Sequence, residues 1–208
     1  MAGVASLLAG TLVLLGIAIA GAITPNYDAT RDVISASQVG PYGFLVTLAL
    51  AAGGTLTVVF ASLLQRILPA GNAIGPVLLI VRGWGALFAA AFLADLGPVR
   101  TAGGFLHVIG FVFGTLAFGI GLFFVAGRMR HDEDWRTLAP YTVATALGSL
   151  AILGLFVGLG PRYVGDTGAP LSAIGGLIQR LVTVTTWSWH IVIGAWLLRR
   201  PAPSPVES

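Results

Sequence analysis

The sequence predicts an all-α, polytopic membrane protein: six transmembrane helices in one antiparallel bundle, with both termini in the cytoplasm. Three observations predict it. First, 56% of the 208 residues are hydrophobic and 9% are charged, with a mean hydropathy of +0.92. A soluble domain carries roughly 25% charged residues and could not cover so much apolar surface, whereas lipid covers the outside of a membrane bundle. Second, the apolar residues fall into six runs of about the 20 residues that a span requires. Third, six spans divide the loop arginines unequally. Arg66, Arg128, Arg130, Arg136, Arg199 and Arg200 fall on one side, and Arg31, Arg100 and Arg162 on the other. The positive-inside rule puts the richer side, with both termini, in the cytoplasm. The expected location is the cell's inner (plasma) membrane.

The first span is Ala2–Ile23, ended by Thr24-Pro25. It has no basic region before its apolar run, so it reads as a retained span rather than a removed signal peptide. A polar loop from Asn26 to Pro41 follows. The second span runs over 42–64 and the third over 73–93, separated by a turn containing Arg66 and Pro69. The connection from Ala94 to Thr101 leads to the fourth span, 103–126. The most charged loop, with Arg128, Arg130, His131, Asp132, Glu133, Asp134 and Arg136, precedes the fifth span, 140–159. A Gly/Pro-rich loop precedes the sixth, 171–198. Residues 1–200 thus read as one transmembrane domain, and the Pro/Ser-rich residues 201–208 as a disordered cytoplasmic tail. The chain has 29 glycines, many inside the spans, among them the pairs Gly110/Gly114 and Gly154/Gly158. Their expected role is close helix packing.

Several function classes are excluded. With no cysteine there is no disulfide, thiolate catalysis or Cys-ligated metal. The pI of about 10.0 rests on a net charge of +3 from scattered arginines, so nucleic acid is not an expected partner. The three histidines cannot share one ion, and there is no HExxH, P-loop or GxSxG elbow. No metal and no cofactor is expected.

Ionisable groups at membrane depth are costly, so they mark function by default. Arg82 falls near the middle of the third span and must find a carboxylate, backbone carbonyls or water. Asp95 and His107 lie close in sequence across the hairpin between the third and fourth spans. A carboxylate there can orient the imidazole and raise its basicity for acid–base work. Gln179, Thr183, Thr186 and His190 share one face of the last span, with Arg180 beside it. The guanidinium fork of Arg180 suits an anionic head group. Thr and Gln on such a face also serve as interhelical hydrogen-bond partners, and both readings stand. The outer loops add Tyr27, Asp28 and Arg31.

TPNYDATRDVISASQVGP after the first span resembles the P-x-Y-(D)…(I)-S loop of the bacterial six-helix proteins grouped as domain-of-unknown-function family 998. FLADLGPVRTAGGFLHVIGFVFG resembles that family's third-to-fourth helix hairpin, and AIGGLIQRLVTVTTWSW its last helix with a G-x-x-(Q/E)-R motif. In the first loop Ala36-Ser37 stands where the family continues Leu-Gly-like. The resemblance covers about Gly16 to Trp196 and implies Tyr27, Asp28, Ser35, Asp95, His107, Gln179 and Arg180 as site positions. It implies no reaction.

Three functions follow as expectations. One is binding or handling of an amphiphilic molecule, lipid- or isoprenoid-like, in a polar cavity open to the outer face. Its ligand groups would be Tyr27, Asp28, Arg31, Arg82, Gln179 and Arg180, and its partner a membrane lipid or apolar small molecule. The second is an integral membrane enzyme in which Asp95 and His107 perform acid–base isomerisation, cyclisation or hydrolysis. The third is a structural subunit of a membrane complex, with the polar groups locking helices together. The sequence names no protein partner.

Overall fold

A computed structural model describes residues 1–200, so the predicted tail at 201–208 lies outside the described residues. Seven α-helices occur among them: α1 (Ala2–Ile23), α2 (Ile34–Val39), α3 (Gly43–Ile67), α4 (Ile74–Ala91), α5 (Ala102–Met129), α6 (Ala139–Leu159) and α7 (Gly175–Arg199). All but α2 are long and apolar enough to cross a membrane.

The helix ends follow local chemistry. α1 and α3 each end two residues before a proline, leaving the residue that precedes it, where the α conformation is disfavoured, outside the helix. Thr24 and Leu68 are extended there. Asn26 then turns the chain with a positive φ of 58°, a conformation that asparagine tolerates better than most residues. Asn72 accepts the Ile74 N–H at the start of α4, and Thr101 accepts the Gly104 N–H at the start of α5. Pro140 sits in the first turn of α6, where its missing donor costs nothing.

Three sequence expectations are corrected. The stretch 26–41 is not all loop: Ile34–Val39 forms α2, with Ile34, Ser35, Ser37 and Gln38 buried. Six residues are too few to show a helical period, and so short a helix is held by tertiary contacts rather than by propensity. The fourth span continues beyond 126 to Met129 and carries Arg128 with it. Arg128 is buried rather than a free loop charge. It donates to the carbonyls of Pro69, Asn72 and Leu68 and to Gln65 Oε1, tying α5 to the turn after α3. The last helix begins at Gly175, after a 3₁₀ turn over Ser172–Ile174, rather than at 171.

The six long helices pack in a closed ring: α1 on α3, α3 on α4, α4 on α5, α5 on α6, α6 on α7, and α7 back on α1. Glycine makes the closest approaches. A Cβ at Gly85 of α4 would stand 2.7 Å from the Gly114 Cα of α5, so the Gly110/Gly114 pair packs as expected. Gly154 and Gly158 do not: a Cβ at either would meet nothing within 4 Å. That spacing alone does not say which way a helix face points.

One half of the ring is filled. Trp189 stands edge-on to Phe60 and Phe118, and its indole N–H donates to Thr142 Oγ1 at 3.2 Å. His190 is fully buried there, stacked on Phe118 and within 3.4 Å of Thr57 Oγ1. Toward the other end, where the loops 24–33, 92–101 and 160–174 gather, the interior holds cavities.

Candidate functional site

The loop before α2 is drawn into the bundle by two neighbours on α7. Gln179 Oε1 accepts the Ile34 N–H at 2.5 Å. Arg180 donates to the carbonyls of Ala29 at 2.7 Å, Asp32 at 3.0 Å and Gly176 at 3.1 Å, and to the Tyr27 hydroxyl. Its guanidinium also lies 5.1 Å from the centre of the Tyr27 ring. The Tyr27 hydroxyl in turn stands 3.2 Å from the carbonyls of Asp32 and Val33. Tyr27 and Arg180 are thereby committed to holding the loop, and the head-group role expected of Arg180 has no free fork to perform it. Asp28 is committed too, its carboxylate accepting the Thr30 N–H at 2.9 Å. Arg31 lies exposed on a separate loop-surface depression of about 280 Å³ that also includes Asp28, Asp32 and Asp166. The Arg162 and Gly168 N–H groups donate to the Asp166 carboxylate, and the Arg162 bond above all holds it below the usual carboxylate range.

With the loop so anchored, Ser35 faces His107 of α5, its Oγ 3.0 Å from Nε2. The other ring nitrogen, Nδ1, lies 2.9 Å from the Phe92 carbonyl and 3.2 Å from that of Ala89. Carbonyls only accept, so Nδ1 carries the proton and Nε2 offers its lone pair to the Ser35 hydroxyl. Both nitrogens are therefore occupied, and the expected carboxylate–imidazole pair does not form. Asp95 instead accepts from the Thr101 hydroxyl at 2.6 Å and the Thr101 N–H at 3.2 Å, with Arg100 4.0 Å away. It lies against Gly104, where a Cβ would collide with the carboxylate. Asp95 fixes the start of α5, and so the height of His107, without touching the ring.

Two cavities adjoin at this point. The outer one, about 360 Å³, is walled by Phe105, Val108, Phe111, Val112, Phe156 and Val157 of α5 and α6. Its polar inner end is Ser35, His107 and Gln179, while Arg100, Arg162 and Tyr163 lie at its loop side. The inner cavity, about 50 Å³, shares Ser35, His107, Phe111 and Gln179 with the outer one and adds Gln38, Arg82 and Trp187. Arg82 is 5% exposed and stacks on Trp187 at 4.7 Å from the ring centre. Among the described residues its Nε has no hydrogen-bond partner, and neither does Gln38 Oε1. Arg82, His107 and Gln179 are thus brought to one place, whereas Tyr27, Asp28, Arg31, Asp95 and Arg180 surround that place or support it.

The polar face of α7 mostly satisfies itself. The Thr183 hydroxyl donates to Gln179 O at 2.7 Å and the Thr186 hydroxyl to Thr183 O at 3.0 Å. Among the described residues no cluster of three His, Asp or Glu side chains could hold a metal. Residue-level reasoning passed over Ser35, which only the family resemblance marked, and Gln38 and Phe111 altogether. The one local signal is the run Val33–Val39, where Ser and Gln alternate with apolar residues inside a stretch otherwise read as loop.

The sequence model of the family described as "Protein of unknown function (DUF998)" matches residues 7–196. No curated protein and no solved structure matches the chain significantly.

Proposed function

The chain belongs to the DUF998 family of multi-pass membrane proteins of unknown function, and from its own geometry we propose that it binds an amphiphile in the paired cavities. The observation that carries this reading is their gradation. Aliphatic and phenyl side chains of α5 and α6 wall the outer chamber, and hydrogen-bonding groups gather at its two ends, at the loops and where it meets the inner one. Binding sites for small molecules combine apolar walls with a few convergent polar groups in this way. Phe105, Val108 and Val157 are 62%, 42% and 54% exposed at the wall, so an acyl or isoprenoid chain enters sideways from the lipid. The arginine asymmetry supports an antiparallel bundle in the inner membrane with both termini cytoplasmic, which opens the cavities toward the outer face.

Mass spectrometry of lipids that remain with the purified protein tests the reading. One amphiphile should be enriched over the bulk membrane lipids. Val112→Trp, which fills the outer chamber, should remove it while the helical fold and its melting temperature persist. No enrichment in the unaltered protein would refute the proposal.

A second reading, an integral membrane enzyme, is favoured by one observation: the Ser35–His107 hydrogen bond with Nδ1 held on a backbone carbonyl. That is the arrangement of a hydroxyl nucleophile and its general base. Here His107 acts on Ser35 and takes no orientation from Asp95. A fluorophosphonate probe should then label Ser35 in the membrane, and Ser35→Ala or His107→Gln should abolish the labelling. An unlabelled wild-type chain would leave binding as the function.

A further inference from the structure

We propose that the inner cavity is a carboxylate site centred on Arg82. This deepens the amphiphile reading and rests on it only for what the carboxylate is attached to. A buried charge with no partner is strongly unfavourable, and among the described residues Arg82 has no ion pair and its buried Nε has no hydrogen-bond partner. It lies halfway along α4. Among the described residues the ion pairs are Arg100–Asp95 and Arg200–Asp134, both at loops. The other titratable side chain on the inner cavity wall, His107, has both nitrogens engaged and is no anion. Trp187 faces the guanidinium with its ring but supplies no negative charge. The cation is therefore built for a counter-ion that enters from outside.

Size and chemistry narrow that counter-ion. The cavity of about 50 Å³ suits a small head group, and a carboxylate is the smallest common lipid anion with the planar two-oxygen edge that a guanidinium fork matches. A guanidinium meets a carboxylate with two parallel N–H···O bonds. The inner cavity adjoins the outer one, Ser35, His107, Phe111 and Gln179 lining both. A carboxylate at Arg82 can thus carry an apolar chain that lies along Phe111 toward Val108 and Phe156.

The test compares tritiated dodecanoate, dodecanol and acetate on the full chain in nanodiscs at pH 8, with empty nanodiscs subtracted. Dodecanoate should bind about tenfold or more tighter than dodecanol, the ratio expected when one hydrogen-bonded charge pair is gained. Arg82→Gln should bring the two to equal affinity, and Arg82→Lys should restore part of the preference. The wild-type comparison decides even if Arg82→Gln fails to fold. Equal binding of dodecanoate and dodecanol by the wild type would overturn the carboxylate site and leave the amphiphile reading standing. Binding of acetate alone, lost in Arg82→Gln, would keep the site and overturn the amphiphile reading. A preference unchanged in Arg82→Gln, or no binding of any probe, would overturn the proposal.

Discussion

Two arginines inside membrane-length helices play opposite parts. Arg180 spends its donors on three carbonyls and a phenol, whereas the Nε of Arg82 has no hydrogen-bond partner among the described residues. Removing Arg180 should release the loop that carries Ser35. Hydrogen bonds to a charged group contribute about 1.5–3 kcal/mol each. We expect Arg180→Ala to lower stability by about 2–3 kcal/mol after partial replacement by water, read as an earlier thermal transition in detergent. Any co-purifying amphiphile should be lost with it. Tyr27→Phe should do the same more weakly, because it removes one hydroxyl and keeps the ring under the guanidinium. An Arg180→Ala chain that melts like wild type would show that the loop is held by something other than these bonds. Both arginines read alike in the sequence, as charges inside apolar runs. What separates them is whether carbonyls lie within reach, and that depends on a loop folding back across some 150 residues of chain.

At the scale of elements, α2 and the α4–α5 contact matter most. Gly85 lets the α4 backbone lie against Gly110 and Gly114, and this close approach sets where Arg82 and His107 stand relative to one another. Overpacking a tight contact costs typically 1–3 kcal/mol. Gly85→Leu should cost at least about that much and abolish amphiphile binding, whereas Gly154→Leu on α6 should change the melting temperature little. Equal effects of the two would mean that Gly85 is not a packing position. The six spans were legible because each long apolar run repeats one signal over about 20 residues. Helix α2 was not, because one and a half turns carry no period and its burial comes from α3, α1 and α7, with Gln179, far away in the chain, holding its first N–H. For the same reason Asp95 was legible as a polar group at a helix end but not as the hydrogen-bonding partner of Thr101.

For the whole molecule, the orientation across the membrane is directly testable because the chain has no cysteine of its own. Thr167→Cys in the loop before α7 should be labelled by a membrane-impermeant maleimide in intact cells. Glu133→Cys in the loop before α6 should be labelled only in inverted vesicles. The reverse pattern would turn the bundle over and place the cavities on the cytoplasmic side. The all-helical class, the six spans and the family likeness all followed from composition and order, since the demand that lipid makes on a backbone is met locally, one helix at a time. A polar cavity was an expectation, but its division in two, its apolar walls, the Ser35–His107 contact and the unpartnered Arg82 Nε did not follow, since each depends on groups from several helices meeting at one point. Lipid can only require that a span be apolar and helical. Which polar groups then face one another is settled by helix rotation and by which glycines make the close contacts, and the order of residues, which offers Gly110/Gly114 and Gly154/Gly158 alike, fixes neither.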